Sequence, residues 1–178
     1  MNRNVFVFFA VMLYVSSSYG NPGNIIEHGL LPDTLKEKIA LENEIKVQDV
    51  HAFDTGTLSW NGGYVTALVF DDTVKNCFIY VANQEGLHNL FSGAPCEFAG
   101  SPQLENLRHT EYPDILYRIR LFSPTVGAMA DEVVALFFSK DNKTYCTSQS
   151  LAIWYQVGNK EISPDLSDSR CRAEGAGY

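Results

Sequence analysis

The sequence predicts a mainly β fold: an antiparallel β-sandwich or barrel with one N-terminal helix packed on it. Three features point there. Residues 64–70 and 77–81 are rich in Val, Ile, Phe and Tyr and apolar on both faces, as strands covered on two sides must be. Residues 115–121 alternate, Tyr117, Ile119 and Leu121 against Arg118 and Arg120, which is the period of a strand with one wet face. Near the start, Leu31, Leu35 and Ile39 recur at a four-residue spacing, which sets an apolar stripe along one side of a helix.

Ahead of these elements, residues 1–20 have the form of a signal peptide: Arg3, an apolar run over 5–15, and small residues at Ser18 and Gly20. The run is too short for a bilayer, which takes roughly twenty residues. Asp71, Asp72, Arg118, Arg120, Asp131 and Glu132 interrupt every later apolar stretch. The expectation is therefore a secreted, extracellular chain with no membrane span, in which residues 21–178 form a single disulfide-bridged β-rich domain.

Along that domain, residues 21–32 carry Gly, Pro and Asn and read as extended. Thr34-Leu35-Lys36-Glu37 has the form of a capping box, in which hydroxyl and carboxylate satisfy the open N–H groups of a first helical turn. From Glu44 the period shortens: Ile45 and Val47 alternate with polar residues, Leu58 and Trp60 flank Ser59, and the run over 64–70 ends at Asp71-Asp72. Residues 77–81 read as its returning strand. Between 82 and 113 the residues Gly86, Gly93, Pro95, Gly100, Pro102 and Pro113 predict a long irregular connection, with at most a helical turn over 104–108. Loops of that length are where binding surfaces sit, so Leu87, His88, Leu90 and Phe91 are the first candidate binding residues. Strands are expected again over 115–121, 132–139 and 144–157, the last two joined by a turn at 140–143. The polar tail from Gly158 is expected on the surface, held by Cys171 alone.

Four cysteines, Cys77, Cys96, Cys146 and Cys171, in a secreted chain imply two disulfides. Of the three pairings, Cys77 with Cys96 and Cys146 with Cys171 is favoured because each closes a short loop; each bridge is worth about 3 kcal/mol on chain entropy. Their spacing suits no metal site, and neither a metal nor a cofactor is expected.

The formal net charge of −8 disfavours nucleic acid and anionic lipid, which need Lys and Arg clusters. The histidines His28, His51, His88 and His109 belong to no nucleophile or zinc motif. His51 with Asp54 and a serine supplied by the fold is the one triad to weigh, and the acidic pairs Asp71-Asp72 and Asp131-Glu132 read as turn and solvating residues; no catalytic residue is assigned. Arg118 and Arg120 on one strand face are a candidate clasp for a carboxylate or phosphate. Asn142-Lys143-Thr144 is a glycosylation sequon in a hairpin tip, which makes the chain a candidate glycoprotein.

Two function classes fit. One is a secreted non-enzymatic interaction protein, a salivary, venom or reproductive-fluid type of factor that binds an extracellular protein partner through loops on a β scaffold. The alternative is a calycin-like carrier, a barrel around a small apolar ligand. Trp60 beside Gly62-Gly63 holds the residue types of the lipocalin first-strand signature in reversed order, and the chain is not assigned to that family. Oligomeric state is not legible.

Overall fold

Alternation along the strands sorts the apolar side chains into three separate cores, and these fix the layers. The computed structural model describes residues 27–71, 75–93, 95–123, 129–158 and 162–171, so the expected leader over 1–20 lies outside the described residues. The elements run β1 (Glu27–His28), α1 (Asp33–Glu42), a 3-10 turn (Val47–Asp49), β2 (Val50–Trp60), β3 (Gly63–Asp71), β4 (Lys75–Asn83), β5 (Gly86–Gly93), β6 (Cys96–Phe98), β7 (Gln103–Glu105), β8 (Asp114–Phe122), β9 (Met129–Ser139), β10 (Thr144–Thr147) and α2 (Gln149–Val157). One sheet has the order β1-β2-β3-β4-β5; the other has β10-β9-β8-β6, with β7 also on β8. All the pairings are antiparallel.

Every second residue of a strand faces the same way. Val65 and Ala67 of β3 and Cys77, Ile79 and Val81 of β4 therefore face Ile115, Tyr117 and Ile119 of β8 and Val134 and Leu136 of β9, forming the core between the sheets. The intervening Leu68, Phe70 and Tyr80 point outward and are covered by Leu35, Ile39 and Ala40 of α1. On the far side, Leu116, Ala135, Phe137 and Cys146 are covered by Leu151 and Ala152 of α2. The result is helix, sheet, sheet, helix. Each fully buried Leu or Ile contributes about 1.5–3 kcal/mol by leaving water, which explains why β3 and β4 are apolar on both faces.

Among the described residues, a disulfide and a buried hydrogen bond tie the sheets together. Cys77–Cys96 joins β4 to β6. At the register shift of β2 between Ala52 and Thr57, the Gly56 carbonyl accepts a hydrogen bond of 3.1 Å from the buried Tyr117 hydroxyl of β8. A second bridge, Cys146–Cys171, pins the tail beside α2. The pairing is thus the one favoured by loop length.

Three expectations are corrected. Residues 82–113 are not irregular, since they hold β5, β6 and β7, and 103–105 is a strand rather than a helical turn. Residues 144–157 are not one strand: β10 stops at Thr147 and α2 follows, with the Ser148 hydroxyl accepting from Leu151 N–H and Gly158 left-handed at its end, the capping signals of a helix. The Thr34 capping box does not form, because Pro32 takes the N-cap and Thr34 already lies inside α1, with no side-chain cap bond. The other end of α1 is anchored by Asn43, whose amide reaches the Ile39 carbonyl at 2.8 Å and the Tyr80 hydroxyl at 2.8 Å.

Candidate functional site

Three hairpin tips converge at one end of the sandwich, and each is built by its own side chains. The β2–β3 tip is Asn61-Gly62, with Gly62 at φ 133°, a conformation that favours glycine. In the β4–β5 tip the Asn83 carboxamide oxygen accepts from Glu85 N–H at 2.9 Å and Gly86 N–H at 3.2 Å, a side-chain mimic of a backbone turn. In the β9–β10 tip the Ser139 hydroxyl accepts from the Asn142 amide at 3.0 Å, and Lys143 is left-handed at φ 50°. A fourth wall comes from the connection between β7 and β8. There Asn106 accepts from Thr110 N–H at 3.0 Å, and the Pro113 carbonyl accepts from the Tyr145 hydroxyl at 3.0 Å.

These segments enclose a cleft of about 710 Å³. Its rim is polar: Asn61, Gln84, Glu85, Glu111, Lys140, Asp141, Asn142 and Lys143; its floor includes Tyr112 and Phe138. The two rings are 4.4 Å apart between centroids, and Trp60 packs edge-on to Phe138 at 6.4 Å. Tyr112 is only 5% exposed, yet among the described residues its hydroxyl has no protein partner. Burial, then the neighbouring Glu111 carboxylate, raises its pKa above the ordinary phenol value.

Of the residues named from sequence, Asn142 stands on this rim; the candidate binding and anion-clasp residues lie elsewhere. Leu87, His88, Leu90 and Phe91 belong to the edge strand β5 rather than a loop. Leu87 packs toward α1, Leu90 and Phe91 pack against the core between the sheets, and the buried His88 Nε2 has no hydrogen-bond partner. Leu90 and Phe91 also line a smaller pocket of about 310 Å³ beside the start of α2. Arg118 and Arg120 both line a third pocket of about 590 Å³. Arg120 is already held there by Glu97 and Asp131, each at 3.0 Å, which raises its pKa, chiefly through the Asp131 hydrogen bond; Arg118 is exposed. The two do not present a pair of open guanidinium groups. Asn142 is exposed at the hairpin tip, as the sequon requires. The Asp54 side chain falls outside the described ones, and no group of three or more His, Cys, Asp or Glu among the described residues is placed to hold a metal ion.

Two further polar networks close on themselves. Asp114, fully buried, accepts from the Arg108 guanidinium through both oxygens and from the Tyr155 hydroxyl at 2.8 Å, while Arg108 also lies 5.5 Å over the Phe137 ring. The Arg108 pKa is raised, first by its hydrogen bond to Asp114; that of Tyr155 is raised by burial and then by the same carboxylate. The network ties α2 to β8. At the start of α2, Asp168 accepts from the Ser148 hydroxyl at 2.7 Å and Ser150 N–H at 2.9 Å. The backbone of Arg170 pairs with that of Thr147, and the Trp154 indole donates to the Ile162 carbonyl at 2.6 Å. Residues 162–171 are thus a strap with several fastenings rather than a tail held by Cys171 alone.

Sequence reasoning missed Asn61, Gln84 and Tyr112. Asn61-Gly62 and Asn83 followed by Gly86 are turn signals that would have located two tips; nothing local marks Tyr112.

Comparison with protein-family models, curated proteins and solved structures finds no match.

Proposed function

We propose that this chain is a secreted, non-enzymatic interaction protein, and that it meets its extracellular partner at the end of the sandwich where the three hairpin tips converge. One observation carries the reading: the space between the sheets is filled, while the converging tips leave an open cleft. Tyr117, Tyr145, Ile79, Ile115, Ile119 and Leu136 occupy the interior with essentially no exposure, packed as protein cores are. A carrier needs an apolar chamber there, so the filled interior favours surface recognition over the calycin-like alternative. Turns displayed on a rigid scaffold are a common recognition surface. Two disulfides fit an oxidising compartment, and among the described residues no helix is long and apolar enough to cross a membrane.

The test is affinity capture from extracellular fluid with the wild-type chain and with an Asn61→Ala/Gln84→Ala/Lys143→Ala variant. The reading expects a protein retained by the wild type and lost by the variant, with an unchanged circular dichroism spectrum. Equal retention by both would remove this end of the molecule from the interface.

A further inference from the structure

Resting on that reading, we infer that the cleft between the hairpin tips is a carbohydrate site, and that it takes a neutral sugar of the partner. Four properties of the cleft select that chemistry. Three planar amides stand on its rim: Asn61 and Gln84 each offer a donor and an acceptor to neighbouring hydroxyls, and Asn142, whose amide nitrogen is held by Ser139 and Cys171, offers its carbonyl oxygen. The floor is aromatic: the half-buried Phe138 ring, backed by the buried Tyr112, gives an apolar surface for the C–H groups of a sugar. The Tyr112 hydroxyl, on a residue only 5% exposed, has no partner in the described protein and is open at the cleft, where it can pair with a ligand hydroxyl. The acids Glu85, Glu111 and Asp141 outnumber the lysines Lys140 and Lys143, which disfavours a phosphate or sulfate, while their near balance leaves no strong field for a cation.

The measurement is a nuclear magnetic resonance titration of the purified, folded chain with three neutral oligosaccharides (triacetylchitotriose, mannotriose and lactose), alongside butylammonium and a sulfated disaccharide. At least one neutral sugar should produce saturable shifts of the Asn61 and Gln84 side-chain amides at millimolar concentration or below. Tyr112→Phe, which keeps the ring, should weaken that binding by about three- to tenfold, the worth of one hydrogen bond. Asn61→Ala/Gln84→Ala should abolish it. No saturable shift with any neutral sugar, or tighter binding of butylammonium or the sulfated sugar, overturns the inference. So does binding seen only after Asn142→Gln, which would make the chain's own glycan the occupant. If the sugars fail while the tip variant still loses its captured partner, the carbohydrate inference falls and the interaction reading stands. If capture is also insensitive to the tips, both fall.

Discussion

The Trp60 indole occupies the space a side chain at Gly63 would need, although the two residues are paired across β2 and β3. A Cβ at Gly63 would lie 2.7 Å from two atoms of the indole and would collide with the Ala82 carbonyl of β4. Glycine here lets Trp60 fold over its neighbour and reach Tyr145 of the other sheet, 5.3 Å away between ring centroids.

Gly63→Ala therefore forces backbone or indole to move. The expected cost is about 1–3 kcal/mol, the usual range for overpacking a tight core. Urea unfolding should show a lower midpoint with an unchanged slope. A variant as stable as the wild type would mean that the strand shifts freely there.

Asp114 is fully buried against an Arg108 side chain that is 14% exposed. Asp114→Ala leaves that guanidinium without its partner and should cost about 3–5 kcal/mol. Arg108→Met combined with Asp114→Leu should cost less than the two single changes together, because neither charge is then left buried alone. Additive losses in the double-mutant cycle would show that the pair is not coupled.

The Asp168 carboxyl loses some solvation, but its hydrogen bonds from Ser148 and Ser150 outweigh that and hold its pKa below the ordinary value of 3.8. With the folded value lower than the unfolded one, its contribution is complete above about pH 4 and is lost as pH falls through the folded value. Asp168→Asn should therefore shallow the acid arm of the stability profile below about pH 4 and speed amide exchange over residues 162–171. An acid arm identical to that of the wild type would place the strap's stability elsewhere.

Cys77 and Cys96 are both buried between the sheets, whereas Cys171 is partly exposed. Mild thiol reductant should open Cys146–Cys171 first, read as two alkylated cysteines by mass spectrometry while Cys77 and Cys96 stay protected. Labelling of all four together would show that the sheets separate as easily as the strap.

A filled interior also makes a negative result informative. Long-chain fatty acids or retinoids should leave Trp60 emission unchanged, since Trp60 is 7% exposed and packed on Phe138 and Tyr145. Saturable one-to-one quenching would restore the carrier reading.

Strands β3 and β4 were legible as short runs apolar on both faces, β8 because Tyr117, Ile119 and Leu121 alternate with Arg118 and Arg120, and α1 because Leu35 and Ile39 sort by four. The start of α2 was not. Leu151, Ile153 and Tyr155 alternate with Ala152 and Trp154, so β-branched and aromatic residues imitate a strand, and the decisive information sits in the flanking Ser148 and Gly158. β5 was hidden because its apolar residues are few and its bounds are glycines, which read as breaks. The cleft was harder still. Its amides are spread over separate hairpins, and only the pairing of the two sheets brings Asn61, Gln84, Tyr112 and Asn142 to the same end.

The strap has a consequence for biosynthesis. Asp168 lies beyond the far end of α2 yet closes its first turn, so a nascent chain that has just completed this helix still lacks the group that finishes its beginning. Cys77 and Cys96 both precede Cys146 and Cys171 in the chain, so the bond between the sheets needs no part of the strap. Maturation should therefore run vectorially, with the two sheets joined first and the outer helix fastened last.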